Sequence, residues 1–114
     1  MKKFAATLLA VAAFGASAAF ADTIVNSYTN TIVVTYPNGA VARYHFNADN
    51  TFTATTPSGT INGTFDMQAG QICLTPAGGS RECTEVAADK NVGDTWTQQG
   101  TDGSTITVSL EAGR

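Results

Sequence analysis

One histidine, two cysteines and six basic residues are all that this chain of 114 residues offers for most polar chemistry. Each scarcity excludes something. Two cysteines and one histidine cannot supply the four protein ligands of a structural zinc site or an iron–sulfur cluster. A nucleophile–base machine needs its base oriented by a third group. His45 is the only histidine, and no Gly-x-Ser-x-Gly turn accompanies it, so no catalytic residue and no cofactor are expected. Lys and Arg are scattered beyond the first three residues, which excludes a basic nucleic-acid surface. Charged residues make up 13% and hydrophobic residues 43%, the wrong balance for a charge-driven disordered chain. No apolar run reaches the ~20 residues of a spanning helix. Beyond Asp22 the apolar residues never recur at helical spacing over a useful length.

What is present begins with a leader. Met1-Lys2-Lys3 is positive, Phe4 to Phe14 is uncharged and apolar, and Ala19-Phe20-Ala21 offers small residues for a peptidase. This pattern predicts a secretory signal peptide over residues 1–21, cut after Ala21 or alternatively after Ala18. Residues 22–114 then form one domain, exported to the periplasm or secreted, with no stable membrane span after cleavage. Its four basic residues, Arg43, Arg81, Lys90 and Arg114, face nine acidic ones, a net charge of −5. In an oxidising compartment an even pair of cysteines reads as a disulfide, here Cys73–Cys83.

The exported part is rich in Thr, Val, Ile and aromatics, punctuated by Gly, Asn, Asp and Pro, a composition of strands and turns. It predicts eight strands near 31–36, 41–47, 51–56, 61–67, 71–75, 82–86, 94–99 and 104–110. Tyr36-Pro37-Asn38-Gly39-Ala40 suits a type I turn followed by a left-handed Gly39, which pairs Ile32 with Tyr44. A turn at Ala48-Asp49-Asn50 pairs Phe46 with Phe52 and Tyr44 with Ala54. A four-residue loop, Pro57 to Thr60, keeps Ile61 and Phe65 on the face of Phe52. Ala77-Gly78-Gly79 sets Cys73 opposite Cys83, and Thr101-Asp102-Gly103 sets Trp96 opposite Val108. Cys73, Cys83 and Glu85 then point outward, where the bridge would be open to small thiols.

Eight strands in a meander leave two edges, and pairing the eighth with the first removes both. The expected fold is all-β, a small eight-stranded antiparallel up-and-down barrel. Its inward set is Ile32, Val34, Tyr36, Tyr44, Phe46, Phe52, Ala54, Ile61, Phe65, Ile72, Leu74, Val86, Trp96, Ile106, Val108 and Leu110. Bulky side chains on short strands predict a filled interior with at most a small cavity. Thr23 to Asn30 can lay Ile24, Val25 or Tyr28 across an open end.

Tyr44-x-Phe46-x-x-Asp49-x-Thr51-Phe52, Gly63-Thr64-Phe65, Gly70-Gln71-Ile72-Cys73-Leu74 and Val92-Gly93-Asp94-Thr95-Trp96 follow one another along the chain. Together they resemble small exported bacterial proteins of lipocalin-like (calycin-like) type, over about residues 31–110. One departure is Asn50, where such a turn usually carries Gly. The resemblance implies binding rather than catalysis and transfers no catalytic residue.

The remaining motifs have plainer readings. Asp49 and Asp102 fix turns through side-chain bonds to backbone rather than holding a metal. Glu82 and Glu85, at odd spacing, face opposite sides of a strand and do not form a glycosidase pair. The repeated Thr-x-Thr pairs are solvent-face strand residues, because a small barrel is too curved for an ice-binding plane. The expected function is an exported, non-enzymatic barrel that binds a small apolar ligand or a secreted protein. Tyr36, Tyr44, Phe46, Phe52, Phe65 and Trp96 are the candidate ligand-facing residues. The alternative is inhibition of a secreted hydrolase, of protease or lysozyme type, through a loop or an extended segment Asp22–Asn30.

Overall fold

The computed structural model describes residues 23–114, so the predicted signal peptide lies outside the described residues. Eight strands follow one another: β1 (Thr31–Thr35), β2 (Val41–Phe46), β3 (Thr51–Thr56), β4 (Gly59–Gln68), β5 (Gln71–Pro76), β6 (Glu82–Glu85), β7 (Thr95–Gln99) and β8 (Thr105–Glu111). All pairings are antiparallel, in the order β6-β5-β4-β3-β2-β1-β8-β7. The sheet curls into a nearly closed barrel. No helix among the described residues is long and apolar enough to cross a membrane.

Turn chemistry sets the registers. Gly39 takes φ 88° and its N–H donates to the Tyr36 carbonyl, so Ile32 faces Tyr44 as the spacing predicts. Asn50 takes φ 69° and Phe46 faces Phe52. Asp49 accepts from the Thr51 N–H at 3.1 Å and from its hydroxyl at 2.6 Å. Asp102 does the same for Ser104, at 3.0 and 2.7 Å. Trp96 faces Val108. Each carboxylate completes a turn.

The β3–β4 connection corrects the expected loop. Thr56 pairs with Gly59, so only Pro57 and Ser58 turn the chain, and Phe52 faces Gly63 rather than Phe65. The shift is two residues, so every side chain keeps its face. Gly63 then permits close packing. A Cβ there would lie 2.7 Å from the Phe52 ring and 2.8 Å from Pro76 Cα, and would collide with the Thr75 carbonyl.

The β1–β8 pairing forms as expected, with Ile32 opposite Leu110 and Val34 opposite Val108. It does not remove both edges. No ladder joins β6 to β7, and that seam is the break in the barrel. β6 has only four residues, and the long connection from Ala87 to Gly93 imposes no hairpin register. Side chains stitch the seam instead. Gln98 Nε2 donates to the Glu85 carbonyl at 2.8 Å, and the Thr84 hydroxyl donates to the Gln99 carbonyl at 3.4 Å.

The core is the predicted inward set almost entire. Ile32, Val34, Phe46, Phe52, Ala54, Phe65, Ile72, Val86, Ile106, Val108 and Leu110 are buried, with Tyr36, Tyr44, Leu74 and Trp96 partly so. Ile61 departs from it, at 41% exposure near the rim. Burial of each large side chain contributes roughly 1.5–3 kcal/mol.

One end of the barrel is sealed. Residues 23–26 form a single helical turn, and Thr23, Ile24 and Ser27 are buried. The Thr23 hydroxyl donates to the Ala87 carbonyl at 2.6 Å and accepts from the Lys90 N–H at 3.1 Å. Ile24 and Tyr28 pack on the core, while Val25 is exposed. Arg114 forks across the same end, donating to the Asn30 carbonyl at 2.8 Å, Asn47 Oδ1 at 2.8 Å, the Ser27 carbonyl at 3.3 Å and the Phe46 carbonyl.

Cys73 and Cys83 are bonded and occupy facing positions of the β5–β6 hairpin. Alternation puts them on the outer face, since Ile72 and Leu74 line the interior and Cys73 does not. Their expected openness to solvent is corrected. Cys73 is completely buried and Cys83 half-buried. Asp66 is the direct neighbour of Cys73 across the β4–β5 ladder, and Arg81 forks onto Asp66 at 3.3 and 2.9 Å beside the bridge.

Candidate functional site

Up-and-down topology sends three of the seven connections, with both chain ends of the barrel, to one end and four connections to the other. The sealed end holds the helical turn, the β2–β3 and β4–β5 turns, the Ala87–Gly93 connection and Arg114. The other end holds the loops after β1, β3, β5 and β7. There the interior opens into a cavity of about 320 Å³. The sequence predicts a filled interior with at most a small cavity, and the volume found is at the small end for ligand pockets. The inward set names which residues face in, not how completely their volumes meet.

The floor is Thr23 and Ile24, and the walls come from all eight strands. Tyr36, Tyr44, Phe46, Phe52 and Trp96 line it as the sequence proposes. Phe65 does not. It is 5% exposed and packs edge-on against Phe46, ring centroids 5.2 Å apart, filling its own part of the core. Tyr44 stacks on Phe46 at 5.7 Å with rings 8° from parallel, and Phe52 lies 6.1 Å from Phe46. These rings form a rigid wall, because consecutive inward positions of β2 face those of β3.

Polar groups are few and placed. Burial pushes the Tyr44 phenol well above its ordinary ionisation range, and the neighbouring Tyr36 adds to the shift. Tyr44 therefore stays a neutral hydroxyl. Trp96 Nε1–H donates to Gln98 Oε1 at 2.8 Å, while the Gln98 amide reaches the seam. Lys90 Nζ lies 5.4 Å from the centre of the Trp96 ring but does not line the cavity. Ile61, Pro76, Glu82, Gly100 and Thr101 complete the mouth.

Sequence reasoning missed Thr84, Gln98 and Thr101. Gln98 did carry a signal, since it is a polar residue at an inward position opposite Ile106. Glu82 shares the inner face with Leu74, and Glu85 the outer face with Gln71, as their spacing predicts. His45 lies on the outer face opposite Thr53. Desolvation, then Arg114 and Arg43, hold its pKa below the ordinary value.

The N-terminal segment also differs from expectation. An extended Asp22–Asn30 tail would be available to enter a hydrolase cleft. Asp22 lies outside the described residues, and residues 23–30 are folded into the floor by Thr23, Asn26 and Ser27.

Searches against protein-family models, curated proteins and solved structures each found no match to this chain.

Proposed function

We propose that this protein is an exported, non-enzymatic barrel of lipocalin-like type that holds one small, mostly apolar ligand in its interior. The observation that carries the reading is the aromatic-walled cavity of about 320 Å³, floored at one end and open at the other. Apolar space in contact with water is filled favourably by an apolar guest, and rigid walls spare the ordering cost of binding. Export is supported by the Cys73–Cys83 bond and by the leader pattern of residues 1–21.

Binding of a neutral two-ring probe, 2-naphthylmethanol, tests this by equilibrium dialysis and by thermal shift. At 100 times the dissociation constant it should stabilise the fold by about 2.7 kcal/mol. Ala54→Leu, which adds bulk to a wall, should weaken binding while the protein still melts cooperatively. Absence of binding at any soluble probe concentration would refute the reading.

A further inference from the structure

The charge pattern of the cavity narrows its ligand. Every basic residue in the described chain is engaged away from the interior. Arg43 lies on the outer face, 3.5 Å from Glu111. Arg81 forks onto Asp66 beside the disulfide. Lys90 lies over the Trp96 ring without lining the cavity, and Arg114 binds carbonyls beneath the floor. His45 points outward with its protonation disfavoured. Among the lining residues the charged ones are Glu82 and Glu85. Glu85 belongs to the outer-face row and meets the seam through its carbonyl, which leaves Glu82 as the carboxylate on the inner face, at the mouth.

An anion in this space would lose its hydration with no cation to replace it, a penalty of several kcal/mol for a carboxylate in apolar surroundings. A cation meets the opposite conditions. Its aromatic body contacts the apolar wall of Tyr36, Tyr44, Phe46, Phe52 and Trp96, and its head reaches Glu82. Size sets the body. A dry cavity of about 150 Å³ holds one benzene ring, so about 320 Å³ accommodates one or two fused rings. Resting on the cavity reading above, we infer that the ligand is a small aromatic amine, with its rings between β2, β3 and β7 and its ammonium at Glu82.

Three probes of one shape test this at neutral pH: 2-naphthylmethylamine, 2-naphthylmethanol and 2-naphthoate, measured by equilibrium dialysis on the mature protein and on Glu82→Gln. The amine should bind up to about fivefold tighter than the alcohol, the reach of an exposed ion pair. The carboxylate should bind at least about tenfold weaker than the alcohol. Glu82→Gln should abolish the preference for the amine over the alcohol. Carboxylate binding as tight as the alcohol, or an amine preference that survives Glu82→Gln, would overturn the inference and leave the cavity reading intact. Failure of the alcohol itself to bind would overturn both.

Discussion

Breaking the disulfide from its two ends should give unequal losses. The bridge closes a loop with a sequence separation of 10. On the chain-entropy relation such a crosslink removes about 9 cal/mol/K from the unfolded chain, or about 2.7 kcal/mol at 25 °C. Cys83→Ser loses that amount and little more, because position 83 is half-buried and a hydroxyl there reaches water. The Cys73 thiol left behind sits comfortably, since a reduced buried cysteine behaves as a small hydrophobe. Cys73→Ser loses the same crosslink and also places a hydroxyl where exposure is zero. An unsatisfied buried hydroxyl costs about 1–3 kcal/mol, for a total of about 4–6 kcal/mol. Equilibrium urea unfolding of both variants gives the difference directly, with the midpoint read at constant slope. The Cys83→Ser midpoint should fall by roughly 10–20 °C in a thermal melt, given the size of the domain. A loss below about 1 kcal/mol for Cys83→Ser would refute the entropic account. Equal losses for the two variants would refute the inequality of their environments. Partial reduction by glutathione adds a chemical readout, because the mixed disulfide should form on Cys83.

Gly63→Ala should destabilise by about 1–3 kcal/mol by overpacking, since the added carbon meets backbone at Thr75 and Pro76 rather than a yielding side-chain tip; urea unfolding indistinguishable from wild type would contradict the close approach. Stability should be flat from neutral pH up to the ordinary tyrosine range, fall above it because burial keeps Tyr44 protonated only in the fold, and fall on acidification. Neighbouring hydrogen bonds hold Asp49, Asp66 and Asp102 below their usual 3.8, so the unfolded chain takes up protons first as pH drops through that value. His45, also lowered, adds a shallow loss that begins below its usual 6.5. A melting temperature that rises between neutral pH and about pH 5 would show the signs to be wrong, and His45→Gln should remove only the shallow step.

The legible parts of the fold are those where local chemistry decides. Pro37 with Gly39, Asn50 and Gly103 each admit one turn geometry, and each turn fixes a register that the apolar pattern independently requires. Cysteine parity and hairpin register converge on the Cys73–Cys83 bond in the same way. The loop at Pro57–Ser58 was not decidable, because two-residue and four-residue turns preserve the same faces. Burial of Cys73 was not legible either. Alternation gives the side of the sheet, whereas exposure depends on what neighbouring strands bring alongside, and the direct neighbour Asp66 and its partner Arg81 lie 7 and 8 residues away in the sequence. A one-turn helix at residues 23–26 has no periodicity to read, and it persists through tertiary bonds from Thr23 and Asn26 to residues 87–91. Five of six proposed cavity aromatics line the space, while Phe65 shows that an inward position can be filled by its neighbours.

The position of the cavity follows from how unequally the two ends are furnished. At the sealed end the chain spends a helical turn, its longest connection and a four-way arginine fork. At the other end residues 37–40, 57–58, 77–81 and 100–104 carry no apolar side chain larger than proline. Nothing in those loops can serve as a lid over Tyr36, Ile61 and Leu74. The seam adds a second asymmetry, because β6 and β7 meet through Gln98 and Thr84 instead of a ladder. Side-chain bridges yield more readily than a ladder of backbone bonds, so the wall beside the cavity is the part of the barrel best able to widen around a guest. The aromatic face opposite, formed by β2 and β3, has continuous pairing and stacked rings and cannot yield in that way. On the function proposed, a guest would be held against a rigid face and admitted beside an adaptable one, and Gln98, which touches both Trp96 and the seam, would couple occupancy to wall position.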